Sequence, residues 1–193
     1  MSVCSRPLET VFLDRDGTIN VPAAQGDYIR TPDRLVLLPG AAAAIRQFNR
    51  AGLRVVLVTN QRWMSAPDAD PASFGATQDR LRELLAAEGA WLDAAYHCPH
   101  ALRSCRCRKP APGMLWRAAE DLGLDLTRSV IVGDAVSDLQ AGRAAGTGTI
   151  LLSAVGVPSL LADVTCPDLP AAVELLLDAS GAAPPPRSGS ARR

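Results

Sequence analysis

Thr10-Val-Phe-Leu-Asp-Arg-Asp-Gly-Thr18 joins a short apolar run to an acidic turn. The run Thr10 to Asp14 predicts a buried β-strand, because four consecutive β-forming or apolar residues lack the 3.6-residue period of a helix. Asp14 and Asp16 stand two residues apart, so in extended chain both side chains lean to one side. Gly17 then lets the backbone turn sharply and come close to a ligand. Two carboxylates so placed can divide labour. One, ionised, attacks; the other, protonated, donates to a leaving group. Taken alone, the segment reads equally well as an acidic turn after a strand.

Outward from this stretch the chain alternates strands and helices. Leu53 to Thr59 predicts a second strand, and between the two, Pro39-Gly40 opens an Ala-rich helix closed by Gly52. Further along, the pattern predicts a helix over Thr77 to Glu88, a strand over Trp91 to Tyr96 and a helix from Pro112 to Gly123. A strand at Ser129 to Gly133, a helix at Ser137 to Ala145, a strand at Thr149 to Leu152 and a helix at Pro170 to Ala179 complete the series. Such alternation implies an α/β fold, a Rossmann-like three-layer sandwich around a mainly parallel sheet. One domain is expected over residues 1–180. A disordered tail is expected over 181–193, where Pro, Ser, Gly and Arg dominate. Ligands of such sheets sit at the carboxyl ends of the strands. Asp14, Thr59, Asn60 and Asp134 all fall there.

Composition narrows the function classes. Twenty acidic and twenty basic side chains cancel, so no global field recruits nucleic acid or an anionic membrane. No apolar run reaches the length of a membrane span, and the first residues show no hydrophobic signal core. The expectation is a cytoplasmic monomer acting on a small molecule. Nineteen of the twenty basic residues are Arg, and Lys109 is the single lysine. A lone ammonium in so Arg-biased a chain points to a place where a planar guanidinium will not serve.

Three of the five cysteines cluster beside a histidine: Cys98-Pro-His100, then Cys105-Arg-Cys107. Three thiols and one imidazole make a complete tetrahedral set for structural Zn²⁺, with no position left for water. The next residues are Arg108 and Lys109, so a clamped loop would fix both cations in place.

In these features the sequence resembles the haloacid-dehalogenase superfamily. Its motifs, in order, are matched by Asp14-Arg-Asp-Gly-Thr18, Val56-Leu-Val-Thr59, Arg108-Lys-Pro-Ala-Pro-Gly113 and Val132-Gly-Asp-Ala-Val-Ser-Asp138. The resemblance implies a phosphatase with Asp14 as nucleophile, Asp16 as acid and base, and Thr59 and Lys109 on the phosphoryl oxygens. It implies Mg²⁺ held by Asp14, the Asp16 carbonyl and Asp134, with Asp138 orienting Lys109 or water. Together with the Cys/His cluster, these motifs are similar to the branch of heptose 1,7-bisphosphate and histidinol-phosphate phosphatases, compact enzymes without a large cap domain. A phosphorylated sugar, with loss of the C7 phosphate of a heptose bisphosphate, is therefore the first expectation for substrate. Histidinol phosphate is the second, favoured by the short span from His100 to Cys105. An inert zinc-stabilised binding module is the reading from another class. Asn20, Asn60 and Arg108 are the expected substrate contacts. The chain departs from the heptose-enzyme pattern after Gln61, where it continues Arg62-Trp-Met-Ser-Ala-Pro-Asp68.

Overall fold

The structure is a computed structural model and describes residues 7–24, 27–102, 104–156 and 159–180. Cys4 and the tail expected over 181–193 lie outside the described residues. In chain order the elements are β1 (Thr10–Leu13), α1 (Ala41–Arg50), β2 (Arg54–Asn60), α2 (Pro71–Ala87), β3 (Ala94–Cys98), α3 (Gly113–Leu122), β4 (Ser129–Gly133), α4 (Val136–Ala145), β5 (Gly148–Leu152), β6 (Val164–Cys166) and α5 (Leu169–Ser180). The six strands form one sheet in the order β3-β2-β1-β4-β5-β6, and every pairing is parallel. The mainly parallel sheet expected from the alternation is thus parallel throughout.

Strand periodicity divides the core into two layers. Val11 and Leu13 face the side covered by α1, α2 and α5, with Ile45, Phe48, Leu81, Leu85 and Val173. Phe12, Val56, Val58 and Ile131 face the other side, where Met114, Leu115 and Ala118 of α3 and Ala141 of α4 close over them. Because both faces are covered, the central strands carry unbroken apolar runs, Val11 to Leu13, Val55 to Val58 and Val130 to Val132, rather than alternating. No helix among the described residues is long and apolar enough to cross a membrane.

Three elements differ from expectation. Helix α2 starts at Pro71, six residues before Thr77, because Asp70 caps it by accepting from the Ala72 N–H at 2.9 Å; Asp followed by Pro is a strong start signal. Strand β3 runs Ala94–Cys98 rather than Trp91–Tyr96, since Val56 to Asn60 of β2 pair with Ala94 to Cys98. This carries Cys98 onto the strand end. Strand β6 was not anticipated: three edge residues are too few to show a period.

Close packing of α4 on the sheet depends on Gly142, where a Cβ would run into Ile131 Cγ2 and crowd Thr147 and Thr149. Gly142→Ala should destabilise the fold by about 1–3 kcal/mol through overpacking, despite Ala's higher helix propensity. Urea unfolding checks this, and an unchanged or raised midpoint would disprove the tight contact.

Candidate active site

Two adjoining central strands and the next one out deliver the polar groups to one end of the sheet. Asp14 follows β1, Thr59 and Asn60 end β2, and Asp134 follows β4. They line a cleft of about 300 Å³ together with Asp16, Lys109, Ser137, Asp138 and the loop residues Pro22 to Ala24 and Asp27 to Ile29.

The centre of the cleft floor is Lys109. Its Nζ lies 2.6 Å from Asp14 Oδ1 and 2.6 Å from Asp138 Oδ1, and it donates to the Val58 carbonyl at 2.8 Å. Asp14 and the Val58 carbonyl accept hydrogen bonds from the ammonium, and Asp138 balances its charge as a second ion pair. Burial disfavours the charged lysine, but Asp14 and Asp138 outweigh it, so its pKa stands above the ordinary value. The backbone of Lys109 is fixed as well: its N–H donates to Asn60 Oδ1 at 3.1 Å, and its carbonyl accepts from Asn60 Nδ2 at 3.0 Å. Asp138 in turn accepts from the Ala135 N–H at the start of α4.

The carboxylates are crowded. Asp14, Asp134 and Asp138 each place an oxygen within 4.8 Å of the others, against the one ammonium. Burial pushes Asp14 up to about 7, with Lys109 opposing and Asp138 adding to the rise. Asp134 is pushed up to about 6 by burial and then by Asp138. Gly17, at φ +90°, keeps this corner open, because any Cβ there would run into the Asp134 carboxylate. A group of carboxylates this short of positive charge is suited to hold a metal cation.

Asp16 faces a different set of partners. Its carboxyl accepts from Arg15 Nη2 at 3.1 Å on both oxygens, from Asn20 Nδ2 at 3.0 Å and from Gln61 Nε2 at 2.9 Å. Arg15 is fully buried and is tethered to Gln78 Oε1 of α2 at 3.1 Å. Gln61 also donates to Thr59 Oγ1. Arg15, Gln61 and Gln78 are residues that sequence reasoning missed. Nothing in a sequence marks an arginine between two aspartates as buried.

Two expected substrate contacts stand elsewhere. Asn20 is fully buried, and its amide is occupied by Asp16 and by the Val21 carbonyl, so it braces Asp16 rather than facing the cleft. Arg108 is half-buried and is not among the cleft-lining residues; its Nη1 is buried without a hydrogen-bond partner among the described residues. Asn60 does line the cleft, but both ends of its amide are used on Lys109.

The four Cys/His residues converge. Cys98, Cys105 and Cys107 place their Sγ atoms 3.3–3.5 Å apart, and His100 Nδ1 lies 3.2 Å from Cys107 Sγ and 3.6 Å from Cys98 Sγ. Those separations are far beyond a disulfide bond. They are slightly under the roughly 3.8 Å edge of a tetrahedron with ~2.3 Å metal–sulfur bonds. The thiols contest their protons. Burial raises Cys107 to about 12, with Cys105 and Cys98 adding to it, while hydrogen bonds led by Cys107 overcome burial and bring Cys105 down to about 7.

The Asp14 shift has a measurable sign. In the unfolded chain its carboxyl ionises near 3.8, and in the folded chain near 7. Across that window the folded state keeps a proton the unfolded chain has lost, so stability falls as pH rises from about 4 to about 7. In the presence of chelator, Asp14→Asn should therefore be stabilised relative to the natural side chain more at about pH 8 than at about pH 5. Paired urea unfolding at the two pH values reads this difference; an identical gap at both would contradict the crowding.

The sequence matches the haloacid dehalogenase-like hydrolase family over residues 8–146. It is 44% identical over 147 residues to a D-glycero-β-D-manno-heptose-1,7-bisphosphate 7-phosphatase of Mesorhizobium japonicum, covering 72% of this chain and 66%, about two thirds, of that one. It is 39% identical over 143 residues to the Pseudomonas aeruginosa enzyme of the same name, covering 74% and 79%. Among solved structures, it is similar to the D,D-heptose 1,7-bisphosphate phosphatase of B. bronchiseptica complexed with magnesium and phosphate. That likeness has a TM-score of 0.81 and 34% identity, and it covers 89% of this chain and 99% of the other. The fold, the ordered strand-end groups and these likenesses agree: the chain belongs to the haloacid dehalogenase-like hydrolases.

Proposed function

We propose that this hydrolase is a phosphomonoesterase that removes the C7 phosphate of a heptose 1,7-bisphosphate through an aspartyl phosphate on Asp14. The observation that carries the reading is the meeting of Asp14, Thr59, Lys109 and Asp134 in one cleft, in a chain whose relatives bear that enzyme's name.

Catalysis of phosphoryl transfer is largely positioning and charge stabilisation. Lys109 takes Oδ1 of Asp14, so attack on phosphorus falls to Oδ2. As that O–P bond forms, the bond to the sugar oxygen breaks, and Asp16 gives the departing oxygen a proton. Water then attacks the aspartyl phosphate, passing its proton to Asp16, and inorganic phosphate leaves with Asp14 restored. Thr59 and Lys109 stabilise the phosphoryl oxygens throughout. Mg²⁺ fits the carboxylate side of the cleft, where three acidic groups face one ammonium and Gly17 keeps the space clear. Asp14, Asp134 and the Asp16 carbonyl would hold it. Bound there, it offsets negative charge on the phosphoryl group.

Zn²⁺ is the ion proposed for Cys98, His100, Cys105 and Cys107, in a structural role. A complete protein ligand set leaves no site for water, and reduced thiols suit a reducing compartment such as the cytoplasm. Arg108, next to Lys109 in the chain and with an Nη1 that finds no hydrogen-bond partner among the described residues, is the group proposed for the substrate's second phosphate, which would reach it from the edge of the cleft.

Phosphate release with Mg²⁺ should be fastest from heptose 1,7-bisphosphate in a panel with histidinol phosphate and other sugar phosphates. Asp14→Asn should abolish it while the protein stays folded. Faster turnover of histidinol phosphate would replace the substrate, and substantial residual turnover in Asp14→Asn would overturn the nucleophile. Metal analysis should find one zinc per chain, lost in the Cys105→Ser/Cys107→Ser double variant. Zinc content unaffected by that change would refute the site.

A further inference from the structure

We infer that Trp63 and Arg15 are positioning residues for Asp16, acting from opposite sides of a buried polar relay that fixes how this carboxyl meets the leaving group. The inference deepens the phosphomonoesterase reading and rests on it. Neither residue lines the cleft, and both are buried, Trp63 at 4% exposure and Arg15 at 0%.

Trp63 lies in a single turn at Arg62–Ser65 after β2. Its Nε1 donates to Gln61 Oε1 at 2.9 Å. An indole N–H can only donate, so it determines which end of the Gln61 amide is which. With the oxygen held by Trp63, the Nε2 end must face inward, and there it donates to Asp16 Oδ2 at 2.9 Å and to Thr59 Oγ1 at 2.9 Å. Without the indole donor the buried amide is free to turn over and set its oxygen against the Asp16 carboxylate. One hydrogen bond from a residue outside the cleft therefore orders two groups inside it.

Arg15 works from the other side. Its planar fork meets both oxygens of Asp16. Its Nη1 donates to Gln78 Oε1 of α2, and Nη2, shared with Asp16, also donates to the Ile29 carbonyl, so the guanidinium cannot swing away with its partner. Ile29 belongs to the loop that walls the cleft. The next residue, Arg30, lies with its guanidinium carbon 5.6 Å from the centre of the Trp63 ring, within the range of a cation–π contact. The cleft loop thus rests on both anchors of the relay.

A positioning role has a signature that general loosening of the fold lacks. Proton donation matters most when the leaving group is a poor one. An alkyl phosphate needs it; p-nitrophenyl phosphate, which departs as a stabilised phenolate, does not. The value of kcat/KM should be measured on glycerol 3-phosphate and on p-nitrophenyl phosphate with Mg²⁺. General acids contribute about 10²–10⁴-fold. Arg15→Met should therefore lose on the order of 10²-fold or more on the alkyl ester and only a few-fold on the aryl ester. Trp63→Phe keeps the ring and removes the donor, and should show the same bias at roughly 10-fold. Should Arg15→Met not fold, Trp63→Phe carries the test alone. Leu85→Val, in the core away from the cleft, should affect both esters alike. Equal losses on the two esters in Trp63→Phe would overturn this inference and leave the phosphatase reading standing. No phosphate from either ester or from heptose 1,7-bisphosphate with the natural protein would overturn both.

Discussion

A buried ammonium held between two carboxylates is the constraint around which the rest is arranged. Lys109 enters the cleft from a loop, yet it is almost wholly buried, and a lysine in that position is tolerable only if its charge is matched by opposite charge and hydrogen bonds. Asp14 comes from the end of β1, Asp138 from the first turn of α4 and the third partner from the backbone of β2. These elements must therefore stand in one relative geometry. The parallel register supplies it by bringing β2 and β4 to either side of β1. The same ammonium holds one oxygen of the nucleophile and leaves the other to react. An arginine could not reproduce this, because its charge is spread over a plane too wide for the gap.

Much of this was legible in the sequence because it is written in local pattern. Apolar runs ending in polar residues located β1, β2 and β4, and the strand-end rule then predicted that Asp14, Thr59 and Asp134 would meet. The solitary Lys109 could be singled out by composition alone. The Cys/His spacing predicted a cluster, and the four side chains converge. What could not be read depends on burial and direction. Asn20 looked like a loop residue available to a ligand, yet it lies beneath the cleft with its amide on Asp16. Arg15 and Gln61 are polar letters that a sequence reader assigns to the surface; their burial follows from tertiary contacts with α2 and with Trp63. The extra six residues of α2 were missed for a more local reason, a start signal at Asp70-Pro71 outside the periodic stretch.

The divergent segment after Gln61 changes character in this light. It does not extend the cleft wall at Trp63, whose ring is buried against Phe74 at 6.4 Å between centroids. Phe74 stacks in turn on His97 of β3 at 4.4 Å. A chain of aromatic contacts therefore connects the turn after β2 to α2 and to the strand that ends in the first cysteine of the cluster. A substitution here would reach the reacting groups from behind, through the Gln61 amide, without altering a cleft-lining residue.

The strand order β3-β2-β1-β4-β5-β6 also bears on how the molecule comes to exist. Asp14 and Lys109 are 95 residues apart in the chain, and four of the five parallel pairings join strands with a helix between them in the chain. Contacts of such long range demand loop closure before they return any stabilisation, which makes folding slow and concentrates it late. One wall of the cleft is local, from Asp14 through Pro22 to Ala24 and Asp27 to Ile29, but Thr59, Lys109, Asp134 and Asp138 reach it from far along the chain. Asp14 meets its ammonium and Asp138 only once the Lys109 loop and α4 have docked on the sheet, so activity reports on the joint assembly of residues 14 to 138 rather than on any one segment.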